Sequence, residues 1–187
     1  TIRVPADCKT LNEAVARVDK DRRLTTIVVS KGTHVVETDA KGVNYLAIRS
    51  SMNIIGDPDV SNNDIIILGG FFIAPNIQGN AHLQNMTVRH LSKNGSGVVG
   101  LSSFTMKDVI VEQCDGFGVS VKGTGVVGRC TNIEVHQCGS CGVYATDGGS
   151  ITLIGAKTTV HDNCTSGSSD ACGLLVGGPS STIQLVP

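Results

Sequence analysis

Four segments of this chain, residues 83–91, 106–114, 130–138 and 156–164, superimpose on one nine-residue template, with starts 23, 24 and 26 residues apart. A fixed period in that range means one supersecondary unit stacked on copies of itself, since a single copy cannot bury its apolar face alone. Within the template Met86, Val109 and Ile133 align, as do Val88, Val111 and Val135. Residues two apart share one face of a strand, so these side chains point inward and stack from coil to coil. A second strand follows each turn at 97–99, 118–121, 142–145 and 173–176, and a third at 103–106, 125–127, 151–154 and 182–186. Three short strands per repeat give an all-β solenoid, a single-stranded parallel β-helix of about six coils, on the order of 30 Å long at strand spacing. A leucine-rich horseshoe would need a Leu and Asn spacing that is absent, and a propeller would need longer repeats.

The first forty residues read differently. Ile2, Arg3 and Val4 form a short strand, and Thr10 with Glu13 fits a capping box. It opens an amphipathic helix with Leu11, Ala14, Val15 and Val18 on one face. Strands follow at 26–29 and 34–36, around a turn at Lys31, Gly32 and Thr33. A helix that seals one end is what a solenoid requires, because its terminal repeat must not expose an apolar face. The chain therefore reads as a single domain, residues 1–40 forming the cap and first coil and residues 41–187 the remaining coils. At the other end, residues 182–186 run to Pro187 with no second helix, so this coil is expected to meet another protein chain or further sequence of a longer protein.

Composition agrees with short strands and narrows the function classes. The chain of 187 residues holds 23 glycines and five prolines, which suits frequent tight turns. Aromatics make up 3% and Trp is absent, so the core is built from small aliphatic side chains. The formal net charge is −1, and Lys20, Arg22 and Arg23 are the nearest approach to a basic run. A nucleic-acid reader would show a basic stripe with interleaved aromatics, so none is expected. No apolar run approaches a membrane span of ~18 residues. The chain opens at Thr1 rather than Met, which fits either removal of a leader from a secreted or organelle-targeted protein or a piece of something longer.

The repeat also places most of the seven cysteines. Leu91, Cys114, Cys138 and Cys164 occupy one template position, Phe117, Cys141 and Cys172 another, and Cys130 falls between Met106 and Ala156. Positions that alternate Cys with Leu, Phe, Met and Ala are core positions, where Cys acts as a small hydrophobe and is expected as a thiol. Stacked cysteines of neighbouring coils could instead bridge. Cys138 and Cys141 form a C-x-x-C, but neither the helix N-terminus of a redox motif nor a second zinc-ligand pair accompanies it. Asn85, Asn94 and Asn163 lie in N-x-[ST] sequons, which permit glycosylation in a secreted protein.

Chemistry concentrates on one outward column: Arg89, Glu112, His136 and then Asp162, or His161 if the last copy slips by one residue. A His beside a carboxylate could act as a general base and Arg89 could hold an anion, which makes these five the candidate catalytic residues. The simpler reading is a solvated sheet face stabilised by cross-strand opposite charges. His34, His82 and His90 show no partner pattern and read as solvated. Asp57, Asp59 and Asp64 flank a loop and form a candidate calcium site, although loop acids more often cap turns. The outward series Thr87, Ile110, Glu134 and Val160 lacks the repeated Thr of an ice-binding face. No cofactor is expected.

The N-terminal segment resembles the pectin lyase-like superfamily. Its members pair a "T-[IL]-x-x-A" helix with an "I-x-[VL]-x-x-G-x-[YH]" strand and turn and then "I-x-G". The corresponding residues are Thr10, Leu11 and Ala14, then Ile27, Val29, Gly32 and His34, then Ile54 and Gly56. The coils are similar to carbohydrate-binding and sugar-hydrolase repeats reading "V-x-x-C-x-x-G-x-G-V", as in Val111, Cys114, Gly116, Gly118 and Val119, with one residue fewer between Cys114 and Gly116 than that pattern has. The resemblance implies a right-handed parallel β-helix acting on or binding polysaccharide. The superfamily's lyases, hydrolases and epimerases carry clustered Asp and Arg motifs that this chain lacks, so no catalytic residue transfers. The expectation is a non-catalytic binding or structural module using its flat faces or open end. The alternative is an enzyme of acidic polysaccharides, or a degenerate relative of one.

Overall fold

The structure, a computed structural model, describes residues 1–38, 44–167 and 172–187. In chain order the elements are β1 (Ile2–Val4), α1 (Leu11–Lys20), β2 (Thr26–Val29), β3 (Gly32–Val35) and β4 (Tyr45–Ile48), then β5 (Met52–Gly56), β6 (Ile65–Leu68) and β7 (Gly70–Ile73). Next come β8 (Ala81–Arg89), β9 (Val98–Gly100), β10 (Phe104–Glu112) and β11 (Val119–Lys122). They are followed by β12 (Val127–Thr131), β13 (Glu134–His136), β14 (Val143–Thr146), β15 (Ser150–Ile154), β16 (Thr159–His161), β17 (Leu174–Gly177) and β18 (Thr182–Val186). A single 3-10 turn at Asn62–Asp64 precedes β6.

Every strand pairs in parallel with its counterpart one coil away, giving a β-solenoid of about six turns with three faces. The first face runs β1, β2, β5, the first half of β8, the first half of β10, β12, β15 and β18. The second face holds β3, β6, the second halves of β8 and β10, β13 and β16, and the third holds β4, β7, β9, β11, β14 and β17. The nine-residue template is thus two faces joined at a corner. The corner residues Asn85, Asp108 and Asn132 adopt φ of 56°, 53° and 51°. Asn and Asp tolerate that left-handed conformation better than other non-glycine residues. In the next coil Gly155, one residue before the fourth copy, stands opposite Asn132 at φ 92°.

The interior is a set of side-chain columns. On the first face Ile27, Ile54, Leu83, Met106, Cys130 and Leu153 stack in register, all buried. On the third, Leu46, Phe71, Val98, Val119 and Val143 do the same. The expected inward pairs hold: Met86 stands beside Val109, and Val88, Val111 and Val135 are consecutive. Each such valine or isoleucine taken out of water contributes about 1.5–3 kcal/mol.

The capping helix forms as expected. Thr10 Oγ1 accepts the Glu13 N–H at 3.1 Å, while Glu13 reaches back to the N–H of Lys9 rather than of Thr10. Leu11, Ala14, Val15 and Val18 are buried against the first coil.

Two expected registers are corrected. Cys130 stands opposite Leu153, not Ala156, because the chain spends residues 155–158 on a turn before β16. Leu91 is not in the cysteine column: it is 69% exposed and His90 is buried in its place. The Asp115 N–H bonds the His90 carbonyl as the Gly139 N–H bonds that of Cys114, so His90 is the equivalent of Cys114. In the next two coils Gln113 (φ 53°) and Gln137 (φ 55°) add one left-handed residue before the cysteine. An added residue flips the side chains that follow to the other face.

Candidate functional site

The second face presents the outward column, and its strand register decides the membership: Arg89 beside Glu112, Glu112 beside His136, His136 beside His161. His161 therefore takes the fourth place and Asp162 turns the corner at φ 50°. The Arg89 guanidinium donates to Glu112 Oε1 through Nε at 2.7 Å and Nη2 at 2.6 Å. His136 Nε2 lies 3.2 Å from Glu112 Oε2, so each carboxylate oxygen has its own partner. The His136 and His161 rings stack with centroids 5.2 Å apart and planes 2° apart.

Glu134, which the sequence pattern left out of the column, completes it. Its register partner across the next coil is Thr159, not Val160, and its Oε1 sits 3.2 Å from His161 Nε2 and 3.9 Å from His136 Nε2. Asp162 Oδ2 lies 2.9 Å from His161 Nδ1. The Asp162 carboxylate, and then that of Glu134, raises the pKa of the His161 imidazole above its ordinary 6.5, since both favour the charged ring.

Chemically this is a chain of alternating acidic and basic side chains along the sheet. Glu112 would serve as a base only by giving up Arg89 or His136. Shallow clefts of about 300 Å³ indent the surface, one lined by Arg22, Arg49, Asn76 and Gln78, another by Leu91, Gln113, Asp115 and Gln137. Neither takes in Arg89, Glu112, His136 or His161.

Asp57, Asp59 and Asp64 do not converge. Asp57 Oδ1 accepts the Asp59 N–H at 3.1 Å in a local turn, and the Asp64 carboxylate pairs with Lys31 Nζ at 2.9 Å. Among the described residues no group of three or more His, Cys, Asp or Glu side chains is placed to hold a metal ion.

The remaining histidines are partnered, contrary to the solvated reading. His90 Nδ1–H donates to the Ser96 carbonyl at 2.7 Å, Nε2 lies 2.6 Å from the Asn44 side-chain amide, and the ring meets that of Tyr45 edge-on at 4.6 Å. Tyr45 Oη accepts the Ser96 N–H at 2.7 Å, and Ser96 Oγ accepts the Phe117 N–H at 3.1 Å. Burial lowers the pKa of His90, because the charged ring would lose its hydration. His82 Nδ1 bonds Thr105 Oγ1 at 2.7 Å, and His34 Nε2 the Ser30 carbonyl at 2.8 Å.

The cysteine reading holds except at Cys164, whose N–H bonds the Cys138 carbonyl as the Gly139 N–H bonds that of Cys114, so Asn163 and not Cys164 is the equivalent of Cys138. No cysteine forms a disulfide, Cys8, Cys114, Cys130, Cys138 and Cys141 are buried, and Cys164 and Cys172 are half-buried. Cys130 is pushed up to about 12 by burial. The hydrogen bond with Cys138 in the next coil, reinforced by burial, drives Cys114 well above the ordinary thiol range.

Two of the three sequons are committed to structure. Asn85 Nδ2 donates to the carbonyls of Asp57 and Val60 at 2.9 and 3.0 Å, and Asn163 Nδ2 to that of Val135 at 3.0 Å. The corner ladder Asn85, Asp108, Asn132 could have been found in the sequence, since all three hold the third place of the template.

No family model, curated protein or solved structure matches the chain.

Proposed function

We propose that this chain is a non-catalytic β-helical assembly module whose coil of β17 and β18 docks onto the same coil of a second copy. One observation carries the reading. The buried columns of the first and third faces end in side chains left open to solvent: Leu185 beyond Leu153 is 69% exposed, Leu174 beyond Val143 is 40% and Val176 beyond Ala145 is 46%. Their equivalents one coil earlier are buried. At the opposite end α1 covers the first coil.

The choice of a second copy rests on charge and edges. β17 and β18 contain no Asp, Glu, Lys or Arg, so apposing these two strands with their copies brings no like charges of their own together. Neither strand carries the Lys or Pro that usually blunts a free sheet edge. A two-fold contact then sets leucine and valine against their own counterparts. Kinship with the pectin lyase-like superfamily is part of the same proposal. The polysaccharide-active alternative finds less support, because the Glu112 carboxylate is held by Arg89 and His136 on an open sheet.

Light scattering at several protein concentrations tests the reading. A dimer is expected that V176D and L185D return to a monomer with an unchanged far-UV circular dichroism spectrum. A monomer at every concentration, or a dimer indifferent to both substitutions, overturns it.

A further inference from the structure

We propose that Cys141 and Cys172 form an oxidant-gated disulfide that staples the last third-face strand to the coil beneath it. The inference is independent of the assembly reading. Three observations meet at this pair.

The two cysteines occupy equivalent places in consecutive coils. The Gly142 N–H bonds the Cys172 carbonyl as the Gly118 N–H bonds that of Cys141, so the residues are direct neighbours across a parallel ladder. At a strand spacing of about 4.8 Å such neighbours fall within the ~4.4–6.8 Å between Cα atoms that a disulfide accepts. Their sulfurs already face each other at 3.6 Å, and side-chain rotation must bring them to about 2.05 Å.

Access distinguishes this pair from the other stacked pair. Cys114 and Cys138 are only 1% and 0% exposed in the column that continues from His90, although Cys114 is among the residues lining a shallow surface cleft. Cys172 is half-buried and leads into the last strand, while its partner Cys141 is buried beneath it. An oxidant therefore meets Cys172 first and Cys141 is placed to resolve the product. Cys172 now donates its S–H to the Leu174 carbonyl at 3.1 Å, a bond to be released as the sulfur turns inward.

The chemistry needs a small-molecule disulfide such as oxidised glutathione as electron acceptor. The Cys172 thiolate attacks one of its sulfurs, forming a mixed disulfide and releasing one glutathione thiolate, which takes up the proton that Cys172 lost. Cys141, deprotonated in turn, attacks the Cys172 sulfur, forms the protein disulfide and expels the second glutathione as a thiol. Two electrons and two protons pass from the cysteine pair to the reagent. The bridge closes a loop running from Gly142 to residue 171 and ties β17 to β14.

The experiment incubates dilute native protein with oxidised glutathione near pH 8, quenches with acid, alkylates under denaturing conditions and maps peptides without reduction. The expected result is one intramolecular cross-link joining the peptides of Cys141 and Cys172, a protein lighter by two hydrogens, and full alkylation of Cys114, Cys130 and Cys138. Hydrogen exchange of the β17 amides should slow at least several-fold in the oxidised form. C141S should stall at the mixed disulfide on Cys172, and C172S should form neither product, with native circular dichroism as the folding control. A mixed disulfide that persists on Cys172 in the unsubstituted protein overturns the proposal. A chain dimer linked through Cys172 alone, or a dominant Cys114–Cys138 bridge, does the same.

Discussion

Gly118→Ala isolates the feature that sets how closely the coils approach. Gly97, Gly118, Gly142 and Gly173 stand at one corner in four successive coils. A Cβ at Gly118 would lie 2.4 Å from Val135 Cγ1, 2.5 Å from the Gly142 carbonyl oxygen and 3.2 Å from Cys138 Sγ. Carbon atoms pack at about 3.5–4.0 Å, so the methyl is over 1 Å too close to a buried valine and to backbone. Relief means lifting the next coil, which strains the 2.9 Å bond from the Val119 N–H to that same carbonyl. Overpacking costs about 1–3 kcal/mol and a weakened ladder bond about 1 kcal/mol more. The stiffer unfolded chain returns about 0.4–1 kcal/mol, leaving a net loss of about 1–3 kcal/mol.

Gly173→Ala is the matched control. It has the same place one coil beyond Gly142, yet among the described residues the nearest atom to its added Cβ is Val160 Cγ1 at 4.0 Å. With no described coil stacked beyond it in the monomer, the substitution should, at concentrations where the chain is monomeric, be neutral or stabilise by up to about 1 kcal/mol through the unfolded state. The assay is denaturant unfolding followed by far-UV circular dichroism, comparing midpoints at a common slope. Equal midpoints for the two variants would refute the argument that coil-to-coil approach, rather than glycine content as such, dictates this residue.

Two histidines should respond to pH with opposite sign. His161 has a raised folded pKa, so its pairing with Asp162 and Glu134 contributes below pH 6.5 and fades as pH rises through the folded value. His90 has a lowered one, so the stability tied to its neutral ring is present above pH 6.5 and is lost as pH falls towards the folded value. Proton NMR of the imidazoles should find His161 titrating above 6.5 and His90 below it, and D162N should move only His161. Identical titrations would contradict the burial assigned to His90. Alkylation at pH 8 should label Cys172 and Cys164 well before Cys130, whose thiolate fraction is about 10⁻⁴ at a pKa of about 12. Rapid native labelling of Cys130 would show that its column is open.

The period alone carried most of the architecture. Residues repeating two apart within a recurring template must point inward, and Val88, Val111 and Val135 do. Thr10 and Glu13 sufficed to start the capping helix, because an N-cap is a local interaction between neighbours in sequence. What the sequence left open lies where the phase of the repeat changes. Whether Leu91 or His90 enters the core depends on single left-handed residues at corners such as Gln113, and whether His161 or Asp162 extends the column depends on the turn at residues 155–158, two residues longer than its counterpart at 132–133. Side-chain direction alternates with every residue, so one inserted corner residue exchanges inside for outside without altering the composition or the period. The pairing of Glu134 with His161, the network that buries His90, and the facing sulfurs of Cys141 and Cys172 are contacts between residues 6 to 46 positions apart. Only the stacking of coils brings most of those residues together, and stacking is what the tertiary structure supplied.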